Sequence, residues 1–153
     1  MGTPLGVGDK APNFKLPRDD GDSVSLADFK GRKLVLYFYP RADTPGCTVE
    51  ACEFRDTSKK IVKKGALIVG VSPDTSKAQS KFKTKFDLPF ILLADADKKV
   101  CEAYGVMKEK NMYGKKVMGV ARTTFLIDEE GKIAKIFTNV KPEGHADQVI
   151  ASL

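Results

Sequence analysis

The chain is poor in the residues that usually announce a metal site or a disulfide framework. Its 153 residues hold one histidine, His145, and three cysteines, Cys47, Cys52 and Cys101. A closed zinc site takes typically four ligands at short Cys-x-x-Cys or His-x-x-x-His spacings. No such spacing is present, so no metal is expected. An odd number of cysteines without a visible secretory signal argues against structural disulfides and for catalytic or redox use. No apolar run approaches the roughly 20 residues of a membrane span. The opening MGTPLGVGDKAP has neither the basic nor the apolar segment of a signal peptide. Gly6 stands where acylation at Gly2 would want Ser or Thr. The expected location is cytoplasmic, or a reducing organelle if a transit peptide has been removed.

Hydrophobic residues make up 42% and charged residues 30% of the chain, as in ordinary globular proteins. The length suits one domain over residues 1–153. The net charge is +6, but the lysines are scattered. Lys59, Lys60, Lys63 and Lys64, then Lys77, Lys81, Lys83 and Lys85, then Lys115 and Lys116 decorate different elements. No single basic stripe carries interleaved aromatics. A solvated lysine surface is expected, with no nucleic-acid or membrane partner.

The order of elements follows from apolar patterning. NFKLPRDDGDSVSL turns at Asp20-Gly21 between two short extended pieces. SLAD, Ser25 to Asp28, has the form of a capping box and opens a short helix ended by Gly31. KLVLYFY, Lys33 to Tyr39, is a nearly continuous apolar run and predicts a strand buried on both faces. Pro45 suits a first helical turn, and the helix should run to Gly65, with Val49, Phe54, Ile61 and Val62 at helical spacing. ALIVGVS predicts a second buried strand, TSKAQSKFKTKF a lysine-rich helix, FILLAD a short strand and DKKVCEAYGV a short helix. RTTFLID and KIAKIFT form a hairpin, and PEGHADQVIASL a last helix. Strand–helix–strand units imply parallel pairing with right-handed crossovers, and the late hairpin adds antiparallel strands at one side. The expected fold is α/β, a mixed central β-sheet flanked by helices on both faces with an N-terminal β-hairpin extension. Its ββα ending is that of a thioredoxin-like fold.

The segment YPRADTPGCTVEAC carries the chemistry. Cys47 falls at about the third position of its helix, directly after a buried strand. The first N–H groups of a helix lack intrahelical partners, and the aligned peptide dipoles add roughly half a positive charge there. Both favour a thiolate, the reactive form of cysteine. Gly46 leaves room for a small substrate to approach the sulfur. Cys52 sits five residues further on, a rise of about 7.5 Å and a rotation of about 140°. That separates the two Cα atoms by roughly 8–9 Å, beyond the ~7 Å that a disulfide spans. Either Cys52 is a small buried hydrophobe, or the helix unwinds locally so that the two thiols meet.

YPRADTPGCTVEACEFRD resembles the active-site segment of the peroxiredoxins, most closely the bacterioferritin comigratory protein or peroxiredoxin Q group. Pro40, Thr44 and Cys47 match the family's Pro-x-x-x-Thr-x-x-Cys, and the likeness runs from GDKAPNFKLP through GVSPDT to RTTFLID. The resemblance implies a thiol-specific peroxidase, an enzyme of antioxidant defence acting on hydrogen peroxide and organic hydroperoxides. Cys47 would attack the peroxide and become a sulfenic acid. Cys52 would condense with it to an intramolecular disulfide, and thioredoxin or a similar dithiol reductant would restore both thiols. Thr44 would hydrogen-bond the peroxide and the sulfur, Pro40 would shield the site from water, and Arg122 would support thiolate and substrate. No organic cofactor is needed, and a monomer or weak homodimer is implied.

Glu50 lies one turn after Cys47. It either orients Arg122 by a carboxylate–guanidinium contact or is an exposed helix glutamate. Cys101, between Val100 and Tyr104, is expected as half-buried packing, with an alternative resolving thiol as the other reading. His145 is expected on the surface near a helix start, and Phe38 and Tyr39 in the core or pocket wall. A protein dithiol oxidoreductase is the nearest rival, disfavoured by the lack of a vicinal Cys-x-x-Cys. A non-catalytic binding module of the same fold would have no need of Pro40, Thr44, Cys47 and Arg122 together.

Overall fold

Strand β3, Lys33–Phe38, divides the interior into two apolar layers. Leu34, Leu36 and Phe38 point into one cluster, and Val35, Tyr37 and the following Tyr39 into the other. Each is at most 1% exposed, which is why this stretch reads as an unbroken apolar run. The structure, a computed structural model, describes residues 4–153.

An antiparallel hairpin of β1, Lys15–Pro17, and β2, Ser23–Ser25, opens the chain. A 3-10 turn over Leu26–Phe29 follows, in which the Ser25 N–H is capped by Asp28 Oδ2 at 2.8 Å. After β3 come α1, Pro45–Lys63, β4, Ala66–Ser72, α2, Ser76–Phe86, β5, Ile91–Ala94, and α3, Lys99–Ala103. Then come β6, Met107–Met112, β7, Lys115–Val120, β8, Thr123–Ile127, β9, Ile133–Phe137, and α4, His145–Ser152.

The central sheet has the order β5-β4-β3-β8-β9. β3, β4 and β5 run parallel, while β8 is antiparallel to both β3 and β9. One layer is filled by Phe54 and Ile61 of α1, Phe82 of α2, and Ala146 and Val149 of α4. The other is filled by Leu16 and Val24 of the first hairpin, Phe29, and Val100 and Cys101 of α3. This is the expected α/β sandwich with helices on both faces. Among the described residues no helix is long and apolar enough to cross a membrane.

Three features depart from the sequence reading. The hairpin β6–β7, a separate two-stranded sheet, is an element the apolar pattern did not announce. Its strands MKEKNM and KKVMGV are rich in lysine and polar residues, which pattern analysis reads as loop. What makes it a hairpin is its turn, where Tyr113 and Gly114 both take positive φ, 52° and 78°, as a tight hairpin turn requires. Val62 was placed on the apolar stripe of α1 but is 51% exposed; Cys47, Glu50 and Ala51 are buried on that helix beside Phe54 and Ile61. His145 is the third departure. It is wholly buried rather than on the surface, wedged edge-on against Phe54 and Phe137. Its Nε2 lies 2.7 Å from Thr124 Oγ1, and burial pulls its pKa below the ordinary histidine value.

Candidate active site

The loop between β3 and α1 lies at the C-terminal edge of the parallel strands, where α/β sheets place their sites. Tyr39 continues β3 and donates its N–H to the Val71 carbonyl at 3.0 Å. From there the chain is held by β4 and α2. The Ala42 N–H donates to Asp74 Oδ2 at 2.8 Å, and the same oxygen accepts from Ser72 Oγ at 2.6 Å. Gln79 joins this network, accepting from the Tyr39 hydroxyl at 2.6 Å and donating to Ser72 Oγ at 2.9 Å. Asp43, in the left-handed region at φ 59°, meets Lys85 Nζ at 2.9 Å. These contacts fix the loop from Pro40 to Thr44 that leads into the helix.

Thr44 is the N-cap of α1, Pro45 occupies the first turn, and Cys47 follows as the third helical residue. The Thr44 carbonyl accepts the Thr48 N–H at 2.8 Å. Its hydroxyl donates to the Arg41 carbonyl at 3.0 Å rather than to the Cys47 sulfur. Cys47 is 1% exposed.

Arg122, in the short link between β7 and β8, brings two functional groups together. Its Nη2 donates to Cys47 Sγ at 3.3 Å and its Nη1 to Glu50 Oε1 at 2.7 Å. Glu50 is therefore a buried partner of the guanidinium, not an exposed helix glutamate. Among the described residues its other oxygen, Oε2, is buried without a hydrogen-bond partner, as is the Tyr37 hydroxyl. Burial lifts the Glu50 carboxyl to about 7 despite the opposing Arg122 charge. Burial also works against the Arg122 charge, but the combined pull of Glu50 and Cys47 outweighs it and raises the guanidinium further. The two partners shift differently because Glu50 is the more deeply buried, its side chain 0% exposed against 14% for Arg122.

Gly46 also lies close against Arg122. A β-carbon there would stand 3.1 Å from Arg122 Nη2 and 3.4 Å from Pro142 Cγ. The missing side chain makes room for the guanidinium.

Cys47, Cys52 and Cys101 are all free thiols, and residues 47–52 are helical. Cys52 is half-buried. Its neighbour two turns from Cys47, Arg55, donates to the Phe86 carbonyl of α2 at 2.9 Å. Cys101 is fully buried rather than half-buried. Its N–H donates to Asp95 Oδ2 at 2.7 Å, and burial, reinforced by that carboxylate, pushes its thiol far above the ordinary cysteine value. It lies in the apolar layer opposite Cys47.

The chain as a whole has known relatives. A model of the AhpC/TSA family matches residues 7–136. The chain belongs to the AhpC/TSA family. A Coxiella burnetii protein called a peroxiredoxin bcp is 54% identical over 147 residues, covering 96% of this chain and 97% of that one. Peroxiredoxin Bcp of Bacillus subtilis is 47% identical, covering 96% and 94%. The structure of Xanthomonas campestris peroxiredoxin Q superposes with a TM-score of 0.89 at 40% identity, covering 98% of this chain and 95% of that one. These relatives put the chain in the Bcp or peroxiredoxin Q group, with a thioredoxin-like fold. Peroxidase activity driven by a thiol reductant comes with that membership.

One contributor to the site of this peroxiredoxin escaped the sequence reading. Asp74, which holds the loop before α1 through the Ala42 N–H, sits inside the GVSPDT stretch, whose match to the family was its only signal.

Proposed function

We propose that Cys47 is the thiol that attacks the peroxide and that Cys52 resolves it within the same chain. The observation that carries this reading is the 3.3 Å contact from Arg122 Nη2 to Cys47 Sγ at the N-terminus of α1. A guanidinium and a helix N-terminus converge there on a buried sulfur, and both favour its thiolate.

The thiolate attacks the terminal oxygen of the hydroperoxide. The O–O bond breaks, the leaving oxygen takes a proton, and water or an alcohol departs. Cys47 is left as a sulfenic acid. Because that bond is weak, catalysis consists of alignment and of donors aimed at the charge growing on the leaving oxygen. Arg122 and the backbone N–H groups of Gly46 and Cys47 supply those donors. The Thr44 hydroxyl gives its proton to Arg41 O, so its lone pairs are free to accept the peroxide proton. Pro40 closes the loop over the sulfur against water.

The second step needs the helix undone. The Cys52 thiolate attacks the Cys47 sulfenic sulfur and expels its oxygen as water, forming a disulfide. With roughly 8–9 Å between Cα atoms of an intact helix, residues 47–52 must unwind first. Thioredoxin or a similar dithiol then reduces the bond and the helix re-forms. Every residue used lies in one chain, so a monomer or a weak homodimer suffices. A Xanthomonas campestris bacterioferritin comigratory protein of the same fold, 39% identical, is described for its alkyl peroxide reduction activity. Organic hydroperoxides and hydrogen peroxide are the substrates we assign here.

Peroxide consumption coupled to a thioredoxin and its reductase tests the scheme. Turnover should vanish in Cys47→Ser. Activity that survives that substitution excludes Cys47 as the attacking thiol.

A further inference from the structure

Just beyond Cys52, α1 is tied to two other helices. Glu53 Oε1 accepts the Gly144 N–H at 2.8 Å, and Gly144 is the N-cap of α4. Arg55 Nη1 donates at 2.9 Å to the carbonyl of Phe86, the last residue of α2. Both backbone groups stand at helix ends, where an N–H or a carbonyl lacks an intrahelical partner. Charged side chains fill those places here, and such bonds are stronger than neutral ones. Between the two, Phe54 is wholly buried, its ring centroid 4.8 Å from that of Tyr37 and 5.8 Å from that of His145. Three consecutive residues thus fasten α1 to α4, to β3 and to α2.

The turns before them are held differently. Arg122 reaches Cys47 Sγ and Glu50 Oε1, and Cys47, Glu50 and Ala51 are buried. Part of that hold is unfavourable. Among the described residues Glu50 Oε2 is buried with no hydrogen-bond partner, a bond that water supplies once the turn opens. Oxidation of Cys47 also removes the thiolate charge that Arg122 faces. The first turns are therefore poised to open, and the residues after Cys52 are fastened by contacts that oxidation of Cys47 does not touch.

We propose that Glu53 and Arg55 are positioning residues of the resolving step: through Gly144 and Phe86 they stop the unwinding of α1 at Cys52. The inference rests on Cys52 as the resolving thiol. A short free segment keeps Cys52 near the sulfenic acid, because closure entropy grows with the length of the flexible chain. The retained helix over residues 53–63 also serves re-formation, since the melted turns only propagate from it and need no new nucleus.

Amide exchange tests where the melting stops. Reduced protein is compared, residue by residue in NMR spectra, with protein oxidised by one equivalent of hydrogen peroxide to the Cys47–Cys52 disulfide. Each helical N–H bonds the carbonyl four residues back. N–H groups through Arg55 should lose protection on oxidation, and those from Thr57 onward should keep it. In a Glu53→Ala, Arg55→Ala protein the loss should run past Thr57, with exchange of residues 57–61 at least ~10-fold faster in the disulfide form only. Rapid mixing should show the step from sulfenic acid to disulfide slowed on the order of tenfold, with the rate of peroxide attack held. Glu53→Gln alone, whose amide oxygen still accepts the Gly144 N–H, should keep the parent behaviour.

Protection lost beyond Thr57 in the parent overturns the proposal, as does a double variant whose protection or resolving rate stays at the parent value. An equal loss of protection in the reduced and disulfide forms overturns it as well, because the contacts then serve stability alone. A parent protein that forms no Cys47–Cys52 bond overturns the resolving role of Cys52 itself.

Discussion

Glu50 Oε1 and Arg122 Nη1 meet at 2.7 Å, one helical turn from the Cys47 sulfur held by the other arm of the same guanidinium. The carboxylate thus fixes the plane in which Arg122 faces the sulfur. Arg122→Met should lower kcat/KM for peroxide on the order of 10²–10³-fold, the usual cost of losing a donor aimed at developing charge. Arg122→Lys should restore little, since an ammonium lacks the planar fork that holds two acceptors at once. Glu50→Gln should cost about tenfold by loosening the guanidinium. Steady-state peroxide kinetics on the three variants check this, and wild-type rates in Glu50→Gln would show that the carboxylate orients nothing.

Gly46→Ala isolates the room that the guanidinium needs. The added carbon would lie 3.1 Å from Arg122 Nη2, so the fork must shift away from the sulfur. A rate loss on the order of tenfold is expected. Thermal stability should not fall in step, because alanine is a better helix former than glycine. Measuring kcat/KM beside Tm separates the two effects. Full activity in the Gly46→Ala variant would mean that the close approach of Arg122 is dispensable.

The lifted Glu50 carboxyl makes stability depend on pH. Folded, it holds its proton up to about 7, whereas in the unfolded chain it releases it near the ordinary value of about 4.3. The native state therefore binds the extra proton between those values, and its protonation favours folding. That contribution is full below the unfolded value and is lost as pH rises through about 7. Denaturant midpoints of the reduced protein should fall across this window. The fall should be smaller in Glu50→Gln. An identical pH profile for both proteins would contradict the shift.

Cys101 should be dispensable for turnover. Its thiol is buried, held protonated, and in the apolar layer opposite Cys47. Cys101→Ser should leave peroxide turnover intact and cost about 1 kcal/mol of stability for burying a hydroxyl, read from denaturant unfolding. Collapse of activity to the level of Cys52→Ser would make Cys101 the resolving thiol.

The elements easiest to read were those whose pattern and environment agree. Leu34, Leu36 and Phe38 face one layer and Val35, Tyr37 and Tyr39 the other, so β3 carries its burial in its composition. Pro45, Gly46 and Cys47 mark the helix start by backbone chemistry alone. The β6–β7 hairpin was hidden because its strands are exposed and lysine-rich, and only the turn at Tyr113-Gly114 shapes it. His145 was misplaced because a polar side chain in a polar segment gives no sign of the Thr124 hydroxyl waiting 2.7 Å away in the core. Asp74 acts on Ala42 across 32 residues of sequence, and Arg122 on Cys47 across 75. Contacts of that range are set by the tertiary fold.

The most direct measurement is peptide mapping of the protein after one equivalent of hydroperoxide, with and without a thioredoxin system. The expected result is a single disulfide joining Cys47 to Cys52, formed only with loss of helix over residues 47–52 and removed by the reductant. A stable Cys47 sulfenic acid beside a free Cys52, or a bond from Cys47 to Cys101, would contradict it.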